Sequence, residues 1–400
     1  LIADTVRIVR AEKALFGELP YDRFTFILHL LPGGSGGLEH KDSTVLVADR
    51  FAFRGQAYES FLGLVAHELF HAWNGKRIRP AVLGPFDYVR ESYTRELWVV
   101  EGITTYYTDL ILRRAGIITP QRYMEKVAEQ VTRLGTIPGR MVQPLEDASF
   151  DAWIKFYRPD ANSPNATVSY YHKGGLVALL LDLTIRGATG GERSLDDVMR
   201  ALWEQYGRPD AGFPERRVEE VASEVAGVDL APSFDRWLRS TQELDFAPAL
   251  AAFGVMLAPA HEPRPGAPAP PPPTGEPGAQ QMREVKVGFQ FKFEGGKTII
   301  GNVMAGTPAW RAGVSHGDEL VALDGLRVDA MSLGLRMQEK APGSTAILTV
   351  FRRDELINLA MQVESGPPAR LIIHPRPDAT PAQQALLMHW LREDPPRDAG

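Results

Sequence analysis

Three patterns near the start of the chain predict a small sheet followed by a helix. Residues 24–31, FTFILHLL, are mostly apolar or aromatic, as expected of a buried strand. After the glycine turn GGSGG, residues 38–49 alternate apolar and polar positions and predict a second strand. Residues 59–75 have apolar positions at helical spacing, and Gly75 occupies a position typical of the residue that ends a helix.

Beyond Gly75 the pattern is mostly helical as far as Leu257. Loops rich in Pro, Gly and Asp separate segments with apolar positions at helical spacing. These segments predict helices at 93–114, 120–133, 170–186, 194–206, 215–226 and 232–241. A small sheet followed by a helical lobe is an α+β arrangement.

A proline-rich segment at 261–280, HEPRPGAPAPPPPTGEPGAQ, predicts an extended, semi-rigid linker. Short strands return at 284–365, where four short motifs occur in an order that resembles a PDZ domain. They are Gly306-Thr307-Pro308-Ala309, Ala312-Gly313-Val314, Gly317-Asp318-Glu319-Leu320 and Asp324-Gly325. A PDZ domain binds an extended or C-terminal peptide by adding it to its sheet, and residues 287–291 are our candidate for the binding loop. A short amphipathic helix is expected near 380–392.

Composition excludes several classes of function. The chain has 44% hydrophobic and 24% charged residues and a net charge of −6, which is typical of a soluble globular protein without a basic surface for nucleic acid. With no cysteine, a metal site must use His, Asp or Glu. The longest apolar run, 176–181, is too short to span a membrane. We expect a cytoplasmic or periplasmic protein, and we interpret Leu1, which no signal-peptide pattern follows, as a cut end.

The predicted helix at 59–75 carries the motif His67-Glu68-Leu69-Phe70-His71. Residues four apart share one face of a helix, so both imidazoles can bind one zinc ion. Glu68 then lies where it can accept a proton from a water bound to that metal. The alternative is an ordinary core helix with two hydrogen-bonded histidines.

A catalytic zinc site needs a third protein ligand, and Glu101 is the candidate. It lies 30 positions after His71 on a predicted helix, with Trp98, Val99, Val100 and Ile103 around it. A carboxylate in such apolar surroundings is costly unless a cation pairs with it. The alternative is an exposed glutamate on an amphipathic helix.

Two further segments suggest how a peptide could be bound. Tyr171, at the start of the predicted helix 170–186, could donate its hydroxyl to the oxyanion formed when a peptide carbonyl is attacked. The segment Gly36-Gly37-Leu38-Glu39-His40 precedes the HExxH helix. Its glycines would let a substrate backbone approach closely, and Glu39 could bind an ammonium group. A turn with a surface glutamate fits the same segment equally well.

Taken in order, HELFHAWN, KRIRP at 76–80, LWVVEGITTYY, YYHKGGLVALLLDL and the PDZ-like region resemble the glycyl aminopeptidase family of PDZ-containing zinc metallopeptidases. The resemblance covers roughly residues 20–365. That family belongs to the gluzincins, which have a thermolysin-like catalytic domain. The resemblance implies one Zn²⁺ per chain held by His67, His71 and Glu101, with Glu68 as general base.

The resemblance also implies roles in substrate binding. Tyr171 matches the transition-state tyrosine of the Y-x-K-G motif of related aminopeptidases. GGLEH is similar to their G-x-M-E-N motif, whose glutamate holds the free N-terminus, but this chain has Leu38 for Met and His40 for Asn. The implied activity is hydrolysis of the N-terminal peptide bond of peptides, with preference for glycine or another small residue. Family members usually carry an N-terminal β-domain, and little of it can be present here.

The sequence thus predicts a thermolysin-like catalytic domain with a sheet and active-site helix at 1–75 and a helical lobe at 76–258. A linker at 259–283, a PDZ domain at 284–365 and a tail at 366–400 follow. Two alternatives share these residues. One is a zinc endopeptidase to which the PDZ domain brings substrate, and the other is a PDZ-based binding protein with an inactive metal site.

Overall fold

The computed structural model describes residues 1–260, 287–366 and 370–392. The predicted linker at 261–280 lies outside these ranges. The first range holds a three-stranded sheet and a helical lobe. Its strands are β1 (Thr25–Leu31), β2 (Gly36–Glu39), β3 (Ser43–Asp49) and β4 (Val255–Pro259). Its helices are α1 (Ile2–Phe16), α2 (Gly55–Phe70), α3 (Thr104–Arg114), α4 (Pro120–Gly135), α5 (Leu145–Phe150), α6 (Ser163–Ala166), α7 (His172–Ala188), α8 (Leu195–Leu202), α9 (Arg217–Ala226), α10 (Ala231–Leu238) and α11 (Ala247–Ala251).

Four shorter helical turns complete this range: 3₁₀ turns at Ala81–Leu83 and Pro138–Met141, and π-helices at Trp98–Ile103 and Trp203–Gly207. The remaining elements are β5 (Phe289–Glu294), β6 (Lys297–Val303), α12 (Pro308–Arg311), β7 (Glu319–Leu323), β8 (Leu326–Arg327), α13 (Ala330–Gln338), β9 (Thr345–Arg352), β10 (Glu355–Gln362), β11 (Leu371–Pro375) and α14 (Pro381–Trp390). No helix in the described residues is long and apolar enough to cross a membrane. The predicted α+β fold with a PDZ domain is confirmed.

The small sheet presents an edge strand beside α2. Its order is β1-β3-β2, with β1 parallel and β2 antiparallel to β3. Every second residue of β3 is buried, as the period of two in a strand requires. The sheet packs against α2, so β2 and its glycines lie next to the helix that carries the HExxH motif.

Four sequence predictions about these elements are wrong in detail. The strand expected to be buried at 24–31 forms as β1, but five of its seven residues are exposed. The single strand expected at 38–49 is two strands joined by a tight turn, in which the His40 N–H donates to Ser43 O. Helix α2 ends at Phe70 rather than near Gly75, and the chain then turns back, with the Lys76 N–H bonded to His71 O. The helix expected from 93 begins only at Trp98, where its first turn is π-helical.

Helix α1, which we did not predict, anchors the sheet and α2 to the helical lobe. Phe16 at its end stacks on Trp73, with ring centroids 4.9 Å apart, and also contacts Phe70 and Trp203. These side chains belong to one apolar core that runs from α1 through α2, α3 and α7 to α10. Burial of such large aromatic side chains is a main source of stability.

The PDZ domain has a core of its own. Its sheet has the order β10-β9-β7-β6-β5, with β8 paired to β7. Ile300, Leu348, Val350 and Met361 are fully buried between this sheet and its helices. Strand β5, which begins within the predicted binding loop 287–291, lies at the edge of the sheet, where a peptide strand can be added.

The chain returns to the first domain after the PDZ domain. Strand β11 pairs antiparallel with β4, and α14 inserts Trp390 into the main core beside Tyr123 and Phe253. In the sequence, the PDZ domain is therefore inserted between β4 and β11, two strands that pair with each other in the first domain.

One asparagine joins the PDZ domain to the helical lobe. The Asn165 side chain, in α6, donates to Val303 O and accepts from the Ala305 N–H, each at 2.8 Å. Between these two residues, the Met304 N–H donates to Gly288 O in the candidate peptide-binding loop. Asn165 thus holds the segment that supports this loop.

Candidate metal centre and active site

Three side chains that the sequence singled out as metal ligands meet at one point. Glu101 Oε2 lies 3.3 Å from His67 Nε2 and 3.2 Å from His71 Nε2, and the two nitrogens are 3.2 Å apart. Zinc bonds of about 2.0–2.1 Å in a tetrahedral site require ligand atoms about 3.3–3.4 Å apart. The triangle therefore has the size that a tetrahedral zinc ion needs.

Hydrogen bonds fix both imidazoles in the form that binds a metal. His71 Nδ1 lies 2.8 Å from the carbonyl of Asn74, which can only accept, so Nδ1 carries the proton. His67 Nδ1 lies 3.1 Å from Thr108 Oγ1, whose own proton goes to Thr104 O, so this nitrogen also donates. Both Nε2 atoms then present lone pairs to each other and to Glu101. Three converging lone pairs repel unless a proton or a metal cation lies between them, and three such donor atoms fit a bound metal.

The charges of the centre also favour a cation between these side chains. Burial disfavours a charged His71, but the carboxylates of Glu101 and Glu39 raise its pKa to about 9. Burial also works against ionised Glu101, yet His71 and His67 hold its pKa well below the usual range. The centre therefore favours a negative carboxylate beside a positive charge.

The π-helix brings Glu101 within reach of the two histidines. A π-helix holds one extra residue in its turn, and such turns occur often at functional sites. It also crosses α7 closely, because a Cβ on Gly102 would lie 2.7 Å from Gly174 Cα. Only glycine at position 102 permits this approach of the two helices. The apolar neighbours of Glu101 led us to predict it as a ligand, but we did not predict the π-helical turn in which it lies.

Glu68 lies beside the metal centre with its carboxylate held in place by sterics. It is only 5% exposed, and its Oε2 has no hydrogen-bond partner. Burial raises its pKa to about 7 although His71 opposes the shift, so the group can gain and lose a proton near neutral pH. A Cβ built on Gly37 would lie 2.2 Å from Glu68 Oε1 and Cδ, so β2 presses directly on this carboxylate.

We therefore expect Gly37→Ala to reduce peptide hydrolysis by about 100-fold, because a general base displaced by about 1 Å loses its alignment. Zinc content, measured by mass spectrometry, should stay unchanged because the three ligands are untouched. Gly36→Ala is the matched control, since a Cβ there meets nothing within 4 Å. Equal activity of the two variants would contradict the role of Gly37.

The predicted amine-binding residue, Glu39, lies at the end of β2 near the same carboxylate. Ligand atoms of Glu39, Glu68 and His71 are all within 4.8 Å of one another. Glu39 Oε1 forms an ion pair with Lys76 Nζ at 2.8 Å, which the sequence did not predict. Despite burial, His71 and Lys76 keep the pKa of Glu39 below its ordinary value, so it is ionised.

The other residues of the GGLEH segment are accessible along the edge strand. Leu38 is exposed, and so is the side chain of His40. The outer edge of β2 is not paired within the three-stranded sheet, so Gly36 to Glu39 can offer backbone N–H and C=O groups to an extended peptide.

Tyr171 faces the metal centre from the opposite wall. Its ring centroid is 6.3 Å from that of His67, and burial with the nearby Glu101 raises its pKa far above the ordinary value, which keeps the hydroxyl protonated. Its hydroxyl lies 3.3 Å from that of Tyr157, which also accepts from Tyr170 at 3.1 Å. No sequence pattern indicated Tyr157, because it lies 14 positions from Tyr171 in a loop without a motif.

Three polar residues close to the site in sequence, Arg77, Arg79 and His172, bond groups outside the three candidate metal ligands. Arg77 donates to the carbonyls of Ala72 and Lys41 at 2.7 and 2.8 Å, and Arg79 forms an ion pair with Asp210. Both arginines therefore support the turn after α2. His172 Nε2 donates to Gln130 O in α4 at 2.8 Å.

Comparison with known proteins identifies related families. The profile of the M61 glycyl aminopeptidase family matches residues 60–177, and the PDZ domain profile matches 285–363. A crystal structure of an aminopeptidase N family protein from Idiomarina loihiensis is 31% identical, with a TM-score of 0.87 over 98% of this chain and 66% of that one. The chain thus spans about two thirds of that protein's length.

Two other solved structures overlap in part. An M1 zinc metallopeptidase from Deinococcus radiodurans is 17% identical over 60% of this chain and 45% of that chain, with a TM-score of 0.42. Yeast LTA4 hydrolase in complex with bestatin is 15% identical over 63% of this chain and 38% of its own, with a TM-score of 0.43.

The fold and the matched profiles define a peptidase-type domain that carries a PDZ module. More specifically, the chain belongs to the M61 glycyl aminopeptidase family.

Proposed function

We propose that this chain is a zinc-dependent aminopeptidase that removes a small residue, glycine above all, from the N-terminus of peptides. The observation that carries the proposal is the convergence of His67 Nε2, His71 Nε2 and Glu101 Oε2 beside the buried carboxylate of Glu68. His67, His71 and Glu101 would hold one Zn²⁺ per chain. When bound, zinc lowers the pKa of a water molecule toward neutrality and polarises a peptide carbonyl.

Glu68 moves the proton. As water attacks the scissile carbonyl carbon, the carboxylate of Glu68 accepts a proton from that water, and it then delivers the proton to the leaving amine. Its pKa near 7 suits both transfers, because a group that must take and return a proton works best near the operating pH.

Tyr171 stabilises the charge that develops on the carbonyl oxygen. Its raised pKa keeps the hydroxyl protonated and able to donate a hydrogen bond. Tyr157, whose hydroxyl also accepts from Tyr170, fixes the direction of the Tyr171 hydroxyl.

Glu39 and β2 place the peptide. The outer edge of β2 pairs with the substrate backbone, and the ionised Glu39 accepts a hydrogen bond from the substrate's α-ammonium group. Ligand atoms of Glu39 and Glu68 lie within 4.8 Å of each other, so a peptide whose α-ammonium is held by Glu39 would present the bond after its first residue. The matched glycyl aminopeptidase profile supports the preference for a small first residue.

The proposal predicts a strong dependence on the free amine. N-acetylation of a glycyl peptide should lower kcat/KM by about 100-fold, because it removes a charge-assisted hydrogen bond of about 1.5–3 kcal/mol from a partly buried site. Initial rates with the free and acetylated forms of one peptide provide the measurement. Glu39→Gln should reduce the ratio of the two rates toward one.

The same assay separates the alternatives. Equal rates on free and acetylated peptides would favour an endopeptidase with an open cleft. A zinc-loaded protein that hydrolyses neither peptide, but binds a peptide at the PDZ domain, would favour a binding protein.

A further inference from the structure

An ammonium group already occupies the proposed amine-binding carboxylate. Lys76 Nζ lies 2.8 Å from Glu39 Oε1, and the two side chains are only 19% and 22% exposed. This group is a primary ammonium, like the end of the substrate that Glu39 is proposed to bind. Lys76 therefore makes the contact that the substrate must make.

The backbone of Lys76 is fixed while its side chain has room to move. The Lys76 N–H bonds His71 O at 3.2 Å, and the Gly75 N–H bonds Ile78 O at 2.8 Å, so the turn is held against the end of α2. The four-carbon stem of lysine is flexible. Nζ lies 5.8 Å from the ring centroid of Phe86, which is 53% exposed and offers a cation a second resting place nearer to solvent.

Charge explains why the carboxylate needs an occupant before substrate arrives. Glu39 and Glu68 have carboxylate oxygens within 4.8 Å, so an unpaired Glu39 would repel a second carboxylate in a partly buried site. Two ammonium groups at one carboxylate repel each other in the same way. This repulsion favours departure of one ammonium as the other binds.

We propose that Lys76 is a displaceable internal counter-ion, which holds Glu39 until the α-ammonium of the substrate replaces it and which then moves onto Phe86. This inference rests on the proposed function. The exchange conserves the number of ion pairs, so a peptide that lacks the ammonium cannot displace Lys76. The released amino acid also carries an ammonium, and Lys76 competes with it for Glu39.

The test is Lys76→Met, which removes the charge and keeps the length of the stem. We expect KM for a free glycyl peptide to fall about five- to tenfold, and inhibition by glycine to become stronger by a similar factor. The control is Lys41→Met, since Lys41 pairs with Asp210 and carries the same charge near the sheet. That variant should leave both constants within twofold of wild type.

Binding to the metal-free protein gives a readout independent of hydrolysis. Calorimetry with glycinamide should show a Kd five- to tenfold lower in Lys76→Met than in wild type. Phe86→Ala, which removes the second resting place at an exposed position, should raise this Kd about twofold. An unchanged or higher Kd in Lys76→Met would overturn the proposal, since it would make Lys76 a structural residue or a substrate ligand.

Failure of the proposed aminopeptidase function and failure of the counter-ion proposal give different results. If wild-type protein hydrolyses free and acetylated peptides equally, the aminopeptidase function fails whatever Lys76 does. If wild type prefers the free amine but glycinamide binding does not respond to Lys76→Met, the counter-ion proposal alone fails.

Discussion

Glu68→Gln is expected to lower kcat for a glycyl peptide by about 10²–10⁴-fold, the usual contribution of a general acid–base group. Glutamine keeps the shape of the side chain but cannot accept and return the proton. Zinc content should not change, because Glu68 is not among the three converging ligands. The melting temperature should not fall, because the substitution removes a buried carboxyl group whose Oε2 has no partner.

The matched control is Glu59→Gln on the same helix. Glu59 forms ion pairs with Arg122 and Lys126 and lies eight positions before His67, about two turns earlier in the helix. Its replacement should leave kcat within about twofold, since partly exposed ion pairs contribute little. A decrease in kcat of less than tenfold for Glu68→Gln, no larger than the decrease for Glu59→Gln, would mean that another group moves the proton.

Glu101→Gln is expected to weaken zinc binding by more than about 100-fold, because it neutralises a proposed direct ligand. Loss of a residue that only hydrogen-bonds to a ligand costs roughly 10–100-fold. Zinc should raise the melting temperature of the wild-type protein by several degrees. Stabilisation by a ligand is about 2.7 kcal/mol at 100 times its Kd, and the variant should lose most of this rise at the same zinc concentration. Thermal unfolding with and without zinc, with metal content measured in parallel, gives the result without an activity assay.

Glu96→Gln is the control for this experiment. Glu96 is a buried carboxyl just before the π-helix, where burial raises its pKa to about 7 and the Arg216 N–H donates to it. It is not among the three converging ligands, so its replacement should not alter the zinc-dependent rise in melting temperature. The same rise and the same zinc content in Glu101→Gln would show that Glu101 is not a ligand.

Local chemistry made part of the site predictable. The i, i+4 spacing of His67 and His71 fixes their common face on any helix, and the apolar neighbours of Glu101 indicated a carboxylate in need of a cation. The structure brings these residues, Glu68, Glu39 and Tyr171 together around one centre. The PDZ domain was recognisable because its motifs lie close together in sequence.

The features that the sequence did not predict depend on contacts between distant segments. The ion pair of Lys76 with Glu39 needs the turn after α2 to fold back onto β2, 37 positions earlier in the chain. The support of Tyr171 by Tyr157 needs a loop without any motif to lie across the start of α7. Neither leaves a periodic pattern of polar and apolar residues.

The π-helix at Trp98–Ile103 was hidden for another reason. Its residues have the same apolar spacing as an α-helix, and the wider turn arises where Gly102 meets Gly174 of another helix. The early end of α2 is a similar case. The Lys76 N–H bonds His71 O, so a tertiary turn replaces the continuation that the pattern suggested.

The pairing of β4 with β11 determines how the two domains can be separated experimentally. Ending the chain after Pro259 would delete α14 and leave a hole where Trp390 fills the core against Tyr123 and Phe253. Pro259 and Leu371, however, are direct partners in the antiparallel ladder. A two-residue hairpin turn could join them, so the PDZ domain can be excised as a loop and exchanged for another, but not removed by truncation.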